Sequence, residues 1–133
     1  MRRDCLDEKT FEVEQLCRMR RLVWTCNQGS KLYRLNFAGK GIGKGGKSAV
    51  KALATVLMEK IREKDTWITR SCYLQDLVLD NNGLTDDDMI ILSPMLKKCV
   101  RLERLYLEDN NIGEVGCATL CRSLPGSMEW WID

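Results

Sequence analysis

Residues 73–84 read YLQDLVLDNNGL, and residues 101–112 read RLERLYLEDNNI. Leu74, Leu77, Leu79, Asn82 and Leu84 recur 28 residues later as Leu102, Leu105, Leu107, Asn110 and Ile112, with internal steps of +3, +2, +3 and +2 both times. A period that carries both apolar and polar positions is the signature of stacked repeats. The +2 steps put alternate side chains on one side of a short strand. An earlier copy uses Leu32, Leu35, Phe37 and Ile42, with Lys40 where the later copies have asparagine. That asparagine is expected to hydrogen-bond backbone in the turn after the strand, so Lys40 predicts a looser first turn. The step from Leu32 to Leu74 is 42, one period plus 14.

Between the strands the chain turns helical. Lys47 to Glu63, KSAVKALATVLMEKIRE, is rich in Ala, Leu, Lys and Glu and predicts one long helix with Ala49, Val50, Leu53, Ala54, Leu57 and Ile61 on its inner face. The 14 extra residues lengthen that helix and add the segment Asp65–Arg70 as an insertion. A second helix is expected from Asp86 to Lys98, capped around Thr85, with a kink or early end at Pro94. A third runs over Val115–Leu124, stopped by Pro125-Gly126. Ahead of the repeats, residues 7–24 carry Phe11, Val13, Leu16, Cys17, Met19, Leu22 and Val23 in a broad apolar stripe, acids leading and arginines following. This reads as a helix covering the first exposed layer. A new repeat falls due at position 130, where Trp130 takes the first core place. Trp131 and Ile132 then present an uncapped edge, inviting self-association.

The leucine, asparagine and glycine spacing resembles the leucine-rich repeat, and the 28-residue period with a helical second half is similar to the ribonuclease-inhibitor-like subclass. The resemblance implies an α/β solenoid: parallel strands on one face, helices on the other. Residues 1–30 form a helical cap and residues 31–133 the repeats, divided at about 31–73, 74–101 and 102–129, with a truncated fourth at 130–133. It implies a protein-interaction module without catalysis of its own, working as a subunit or adaptor and binding another protein.

Composition bounds the remaining classes. The 133 residues are 44% apolar and 30% charged, which suits one globular domain. The apolar runs fall short of the roughly 18 residues of a membrane span, so no membrane association is expected. Seven cysteines without paired spacing suggest reduced thiols, hence the cytoplasm or another reducing compartment. With no histidine, no Ser/His or Cys/His nucleophile is available, and neither a metal nor a cofactor is expected. Residues 1–70 carry 16 Lys/Arg against 8 Asp/Glu, and residues 71–133 carry 5 against 11. A stack ordered along the chain is therefore basic first and acidic last, which favours head-to-tail association. The basic residues alternate with acids, so nucleic acid is not the expected partner.

One enzymatic pattern is present. Gly41, Gly46, Lys47 and Ser48 fit G-x-x-x-x-G-K-[ST], whose loop amides cradle phosphate while lysine and serine serve phosphate and magnesium. This gives an alternative function in nucleotide or phosphate binding. Against it, Gly43 and Gly46 align with Gly113 and Gly116, where that pattern is missing. Arg34 and Asn36 also interrupt a strand that a nucleotide-binding sheet would keep aliphatic.

The sheet's outward face supplies the binding candidates. Arg34, Asp76 and Arg104 fall in one column, charges alternating so as to pair laterally. Asn36, Val78 and Tyr106 make a second; Ala38, Asp80 and Glu108 a third. The expected partner-binding residues are Arg34, Asp76, Val78, Arg104, Tyr106 and Glu108, joined by Trp130 and Trp131 at the edge.

Overall fold

Strands with one apolar side need a second layer to cover it, and the amphipathic helices between them supply that layer. The computed structural model describes residues 4–26, 32–45, 47–124 and 128–132. Its elements are α1 (Asp4–Cys26), β1 (Arg34–Asn36), α2 (Lys47–Met58), β2 (Lys60–Glu63), β3 (Thr66–Thr69), β4 (Asp76–Val78), α3 (Asp86–Lys98), β5 (Arg104–Leu107), α4 (Glu114–Ser123) and β6 (Glu129–Ile132). One sheet orders β1-β4-β5-β6, all parallel; β2 and β3 form a separate antiparallel pair. Behind the parallel sheet, α1 packs on α2, α2 on α3 and α3 on α4. This is the short leucine-rich-repeat solenoid the spacing implies.

The register follows the repeat. Leu35 pairs with Leu77, and Leu77 with Leu105. Leu35, Phe37, Leu77, Leu79, Leu105 and Leu107 are each at most 1% exposed, so all six strand positions point into one core. Burying each such side chain is worth roughly 1.5–3 kcal/mol, and the core runs unbroken from Met19 and Val23 on α1 to Met128 before β6.

Four local expectations change. The helix over 47–63 stops at Met58, and Lys60–Glu63 instead pairs with Thr66–Thr69. The turn is two residues, with Lys64 in the left-handed region at φ 57°. Glu-Lys-Ile-Arg-Glu favours a helix when taken alone. The β-branched and aromatic run Thr66-Trp67-Ile68-Thr69 offers it a strand partner, and tertiary pairing overrides local propensity. Ile61 therefore belongs to a hairpin and not to a helix face. Glu59 anchors the base: it accepts from Arg20 Nε on α1 at 2.8 Å and from Arg70 at 3.2 Å, and its carbonyl receives the Arg70 amide at 2.7 Å.

Helix α3 continues through Pro94 to Lys98. Pro94 cannot bond the Ile90 carbonyl, but both residues are exposed, so water can take the freed oxygen. On α1, Met19 and Val23 are buried and Leu16 and Leu22 partly so, whereas Val13 and Cys17 are exposed: the apolar stripe is narrower than its composition suggested. The side chain of Phe11 lies outside the described residues.

The fourth change is the register of the last strand. β6 places Trp130 beside Leu105 and Ile132 beside Leu107. Trp130 thus fills the second core place, 25 residues after Leu105, where the 28-residue period put it at the first. Met128, 7% exposed, is the buried residue ahead of the strand.

Candidate functional site

The open face of the parallel sheet is built from the strand residues between the core positions. Arg34, Asp76, Arg104 and Glu129 lie in register across all four strands. Asp76 accepts from Arg34 Nη1 at 3.0 Å and from Arg104 Nη1 at 2.7 Å, so the expected lateral pairing is present. The Asp76 side chain is 15% exposed, while those of Arg34 and Arg104 are 54% and 43% exposed. The hydrogen bond and charge of Asp76 raise the already high pKa of Arg104. Between two cations the carboxylate is spent on the sheet, and the guanidinium edges remain for solvent or a partner.

The next column is Asn36, Val78, Tyr106 and Trp131. Tyr106 and Trp131 stack with ring centroids 4.6 Å apart and planes 9° from parallel. Val78, expected on the binding surface, is 6% exposed and offers little contact area. Trp131 keeps 37% of its surface. Trp130 points the other way, partly buried against the core, so the structure separates the two tryptophans that the tail sequence put together. In the third column Asp80 Oδ1 accepts from the Glu108 amide at 2.7 Å, leaving the Glu108 side chain exposed.

The sequence reading missed the aromatic stack. A three-residue error in the Trp130 register moved Trp131 off the Tyr106 column. It also missed the hairpin β2–β3, which carries an exposed Trp67 with the Arg62 guanidinium 5.4 Å over its ring. The signal was there in Thr66-Trp67-Ile68-Thr69, a strand-forming run following a short polar turn.

The loop over 41–48 is knitted into the stack. Asn82 sits under it, fully buried. Its Oδ1 accepts from the Lys40 and Ile42 amides at 2.9 and 3.2 Å, and its Nδ2 donates to the Phe37 carbonyl at 2.8 Å. The Gly43 amide donates to the Asn82 carbonyl at 2.8 Å, and the Lys44 amide to the Gly41 carbonyl at 3.1 Å. Four amides that a phosphate-cradling loop needs free are therefore engaged by the protein itself. A Cβ at Gly43 would stand 2.4 Å from the Gly83 carbonyl oxygen, so this glycine permits the close approach of two turns. Gly41 has φ 68°, which only glycine adopts cheaply. Ser48 lines a groove between α1 and α2 with Leu16, Lys51, Ala52 and Thr55. Gly46 and the Lys47 side chain lie outside the described residues.

The same bonds correct the expectation of a loose first turn. Asn110 repeats the pattern one layer on: its Oδ1 accepts from the Asn82 and Leu84 amides at 3.0 Å each. Each asparagine holds its own turn and the turn of the layer before it. Lys40 stands where no such earlier turn exists among the described residues, and its own turn is held by Asn82.

Among the described residues no cluster of three His, Cys, Asp or Glu could hold a metal ion, and no helix is long and apolar enough to cross a membrane. Five described cysteines are free thiols. Cys99, 1% exposed, has its pKa pushed up to about 11 by burial, so it is a packing group and not a nucleophile.

Comparison with known proteins agrees with this architecture. No family model matches the chain. Part of it is 41% identical over 54 residues to ribonuclease inhibitor of Mus musculus, covering 41% of this chain and 12% of that protein. It is 42% identical over 59 residues to NACHT, LRR and PYD domains-containing protein 12 of Mus musculus, covering 43% of this chain and 6% of that protein. Against NACHT, LRR and PYD domains-containing protein 3 of Rattus norvegicus it is 38% identical over 69 residues, covering 52% of this chain and 6% of that protein. The matches thus span no more than 12% of the length of these relatives. Repeat spacing, sheet register, asparagine ladder and these similarities converge: the chain is a leucine-rich-repeat protein of the ribonuclease-inhibitor-like kind.

Proposed function

We propose that this chain is a non-catalytic protein-interaction module, a subunit or adaptor in a larger assembly, in which residues 1–30 cap the repeats of residues 31–133. The observation that carries the reading is the Tyr106–Trp131 stack on the open sheet face. Two large rings held parallel lose little further freedom on contact, and aromatic residues beside arginine make efficient anchors. Arg34 and Arg104 flank them with guanidinium edges, and Glu108 adds a charge at the strand ends. The surface suits a protein segment with an apolar side chain to lie on the rings and a carboxylate to meet the arginines. Trp130 and Val78 contribute through packing beneath this face. The loop over 41–48 serves stacking in this reading and holds no nucleotide. The free thiols fit the cytoplasm or another reducing compartment.

The test is affinity capture with mass spectrometry, comparing the wild type, Tyr106→Ala with Trp131→Ala, and Ile90→Ser on the opposite, helical side. Ile90 is 50% exposed and makes a fair control. Proteins retained by the wild type and by Ile90→Ser should be lost with the double variant while its circular dichroism stays unchanged. Retention by the double variant and loss with Ile90→Ser would move the binding surface to the helices.

A further inference from the structure

The layers of the solenoid are offset. Each strand of the parallel sheet belongs with the helix that follows it: β1 with α2, β4 with α3, β5 with α4. That leaves α1 as a helix without a strand at one end and β6 as a strand without a helix at the other. Helix α1 is a true member of the helical row. It lies along α2 in the same direction, since Leu16 faces Ala52 and Thr55 while Arg20, one turn on, reaches Glu59 just beyond α2. The two ends of the described fold are thus two halves of one layer.

We propose that copies of this chain stack head to tail, with β6 of one copy pairing in parallel with β1 of the next and α1 of the next copy filling the helical place behind β6. Among the described residues, neither outer strand edge is paired. Extending the observed register by one strand sets Glu129 beside Arg34 of the following copy, Trp130 beside Leu35, Trp131 beside Asn36 and Ile132 beside Phe37. The open-face column then reads Arg34, Asp76, Arg104, Glu129, Arg34, with charge alternating across the junction as it does within the chain.

Burial points the same way. Leu105 and Leu107 are at most 1% exposed, but their register partners Trp130 and Ile132 are only partly buried. What covers the earlier strands is a helix behind the next layer, and α1 of a second copy would provide it. The helix flanks are complementary too. On α1, Arg18 and Leu22 lie, by helical spacing, opposite the side through which Leu16 and Arg20 touch α2. On α4, Glu114, Cys117 and Cys121 lie opposite Gly116 and Ser123, which face α3. A basic and apolar flank meets an acidic flank of small side chains. The charges of the two halves of the chain, +8 over residues 1–70 and −6 over residues 71–133, give the same attraction at longer range. Such a contact joins two different surfaces, so it does not close at a dimer unless the rotation closes a ring.

The proposal does not depend on the open face binding another protein, and its test needs only this chain. Sedimentation velocity is measured over a concentration series in low and in physiological salt, on the wild type, Arg34→Glu, Glu129→Lys and an equimolar mixture of the two variants. The wild type should form a concentration-dependent series beyond the dimer, weakened by salt. Each charge reversal should weaken association by about tenfold or more, because it sets like charges side by side at the junction. Mixing should restore it. The native Glu129 of the first variant then meets the native Arg34 of the second, and the lysine introduced in the second meets the glutamate introduced in the first. If Arg34→Glu fails to fold beside Asp76, Arg34→Gln takes its place; its mixture with Glu129→Lys should then stop at heterodimers. A monomer at every concentration overturns the proposal. So does association indifferent to both reversals, or a mixture that stays as dissociated as its components.

Discussion

Replacing Asn82 with alanine tests the stacking argument most directly. The side chain is fully buried and makes five hydrogen bonds to backbone: from the Lys40 and Ile42 amides, and to the Phe37, Leu79 and Asp80 carbonyls. Not all five losses cost the same. The Leu79 carbonyl keeps the Asn110 amide group at 3.0 Å, and the Asp80 carbonyl keeps the Gly39 amide at 2.9 Å. Lys40 is exposed and its amide can turn to water. That leaves the Ile42 amide and the Phe37 carbonyl, on residues 4% and 0% exposed, as the groups left without a partner. At roughly 1–3 kcal/mol for each orphaned group, the expected loss is about 3 kcal/mol. Asn110 is half-buried, so Asn110→Ala should cost about half as much. Lys40→Asn should change stability by less than about 0.5 kcal/mol, because it has no earlier turn to hold. Asn82→Asp sharpens the comparison. It keeps the shape but turns an oxygen toward the three carbonyls that now receive a donor, and it should cost at least as much as alanine. The assay is urea unfolding followed by tryptophan emission and circular dichroism. With a slope of about 2 kcal/mol per M, Asn82→Ala should lower the midpoint by about 1.5 M. A loss under about 1 kcal/mol, or Asn110→Ala costing more than Asn82→Ala, refutes the view that a layer is held chiefly by the asparagine of the next one.

Two further outcomes follow from packing and burial. Gly43→Ala drives a Cβ into the Gly83 backbone, 2.4 Å from its oxygen and 2.7 Å from its carbon, and should cost about 1–3 kcal/mol, visible as a lower melting temperature with unchanged secondary structure. Cys99 titrates near 9.0 in the unfolded chain and at about 11 when folded, so between those values the unfolded state loses its proton first and stability falls as pH rises. The difference in unfolding free energy between wild type and Cys99→Ala should shrink by roughly 2–3 kcal/mol across that window and stay flat below it; a flat difference throughout would mean the thiol is not held neutral by burial.

Periodicity made the solenoid legible wherever geometry repeats. Leu35, Leu77 and Leu105 are named by spacing and meet in register, as do the charges of Arg34, Asp76 and Arg104. The asparagine ladder was legible in type but not in direction. Sequence shows Asn82 and Asn110 in equivalent turns, and it cannot show that each also reaches back to the turn before. For that reason Lys40 looked like a defect, although the turn it sits in is secured from the neighbouring layer. The glycines of the loop over 41–48 posed a comparable choice. Their spacing fits a phosphate loop and a stacking contact alike, and the difference lies in where the amides point.

Both misreadings of element and register fall where the period changes. The 14 residues added after the first repeat look helical one by one, and only the pairing of Arg62 with Trp67 and of Ile61 with Ile68 makes them a hairpin. At the other end, three residues are missing between β5 and β6. A fixed period carries its count across such a gap, but the core does not count residues. It accepts whichever apolar side chain reaches the vacant place, and Trp130 reaches the place beside Leu105 because its neighbour then lands on Tyr106. A one-residue slip would exchange Trp130 and Trp131 between core and open face and lose both the packing and the stack. The register of β6 is thus fixed by two aromatic contacts on opposite sides of one strand, and both surfaces proposed for binding here, the open face and the strand edge, depend on it.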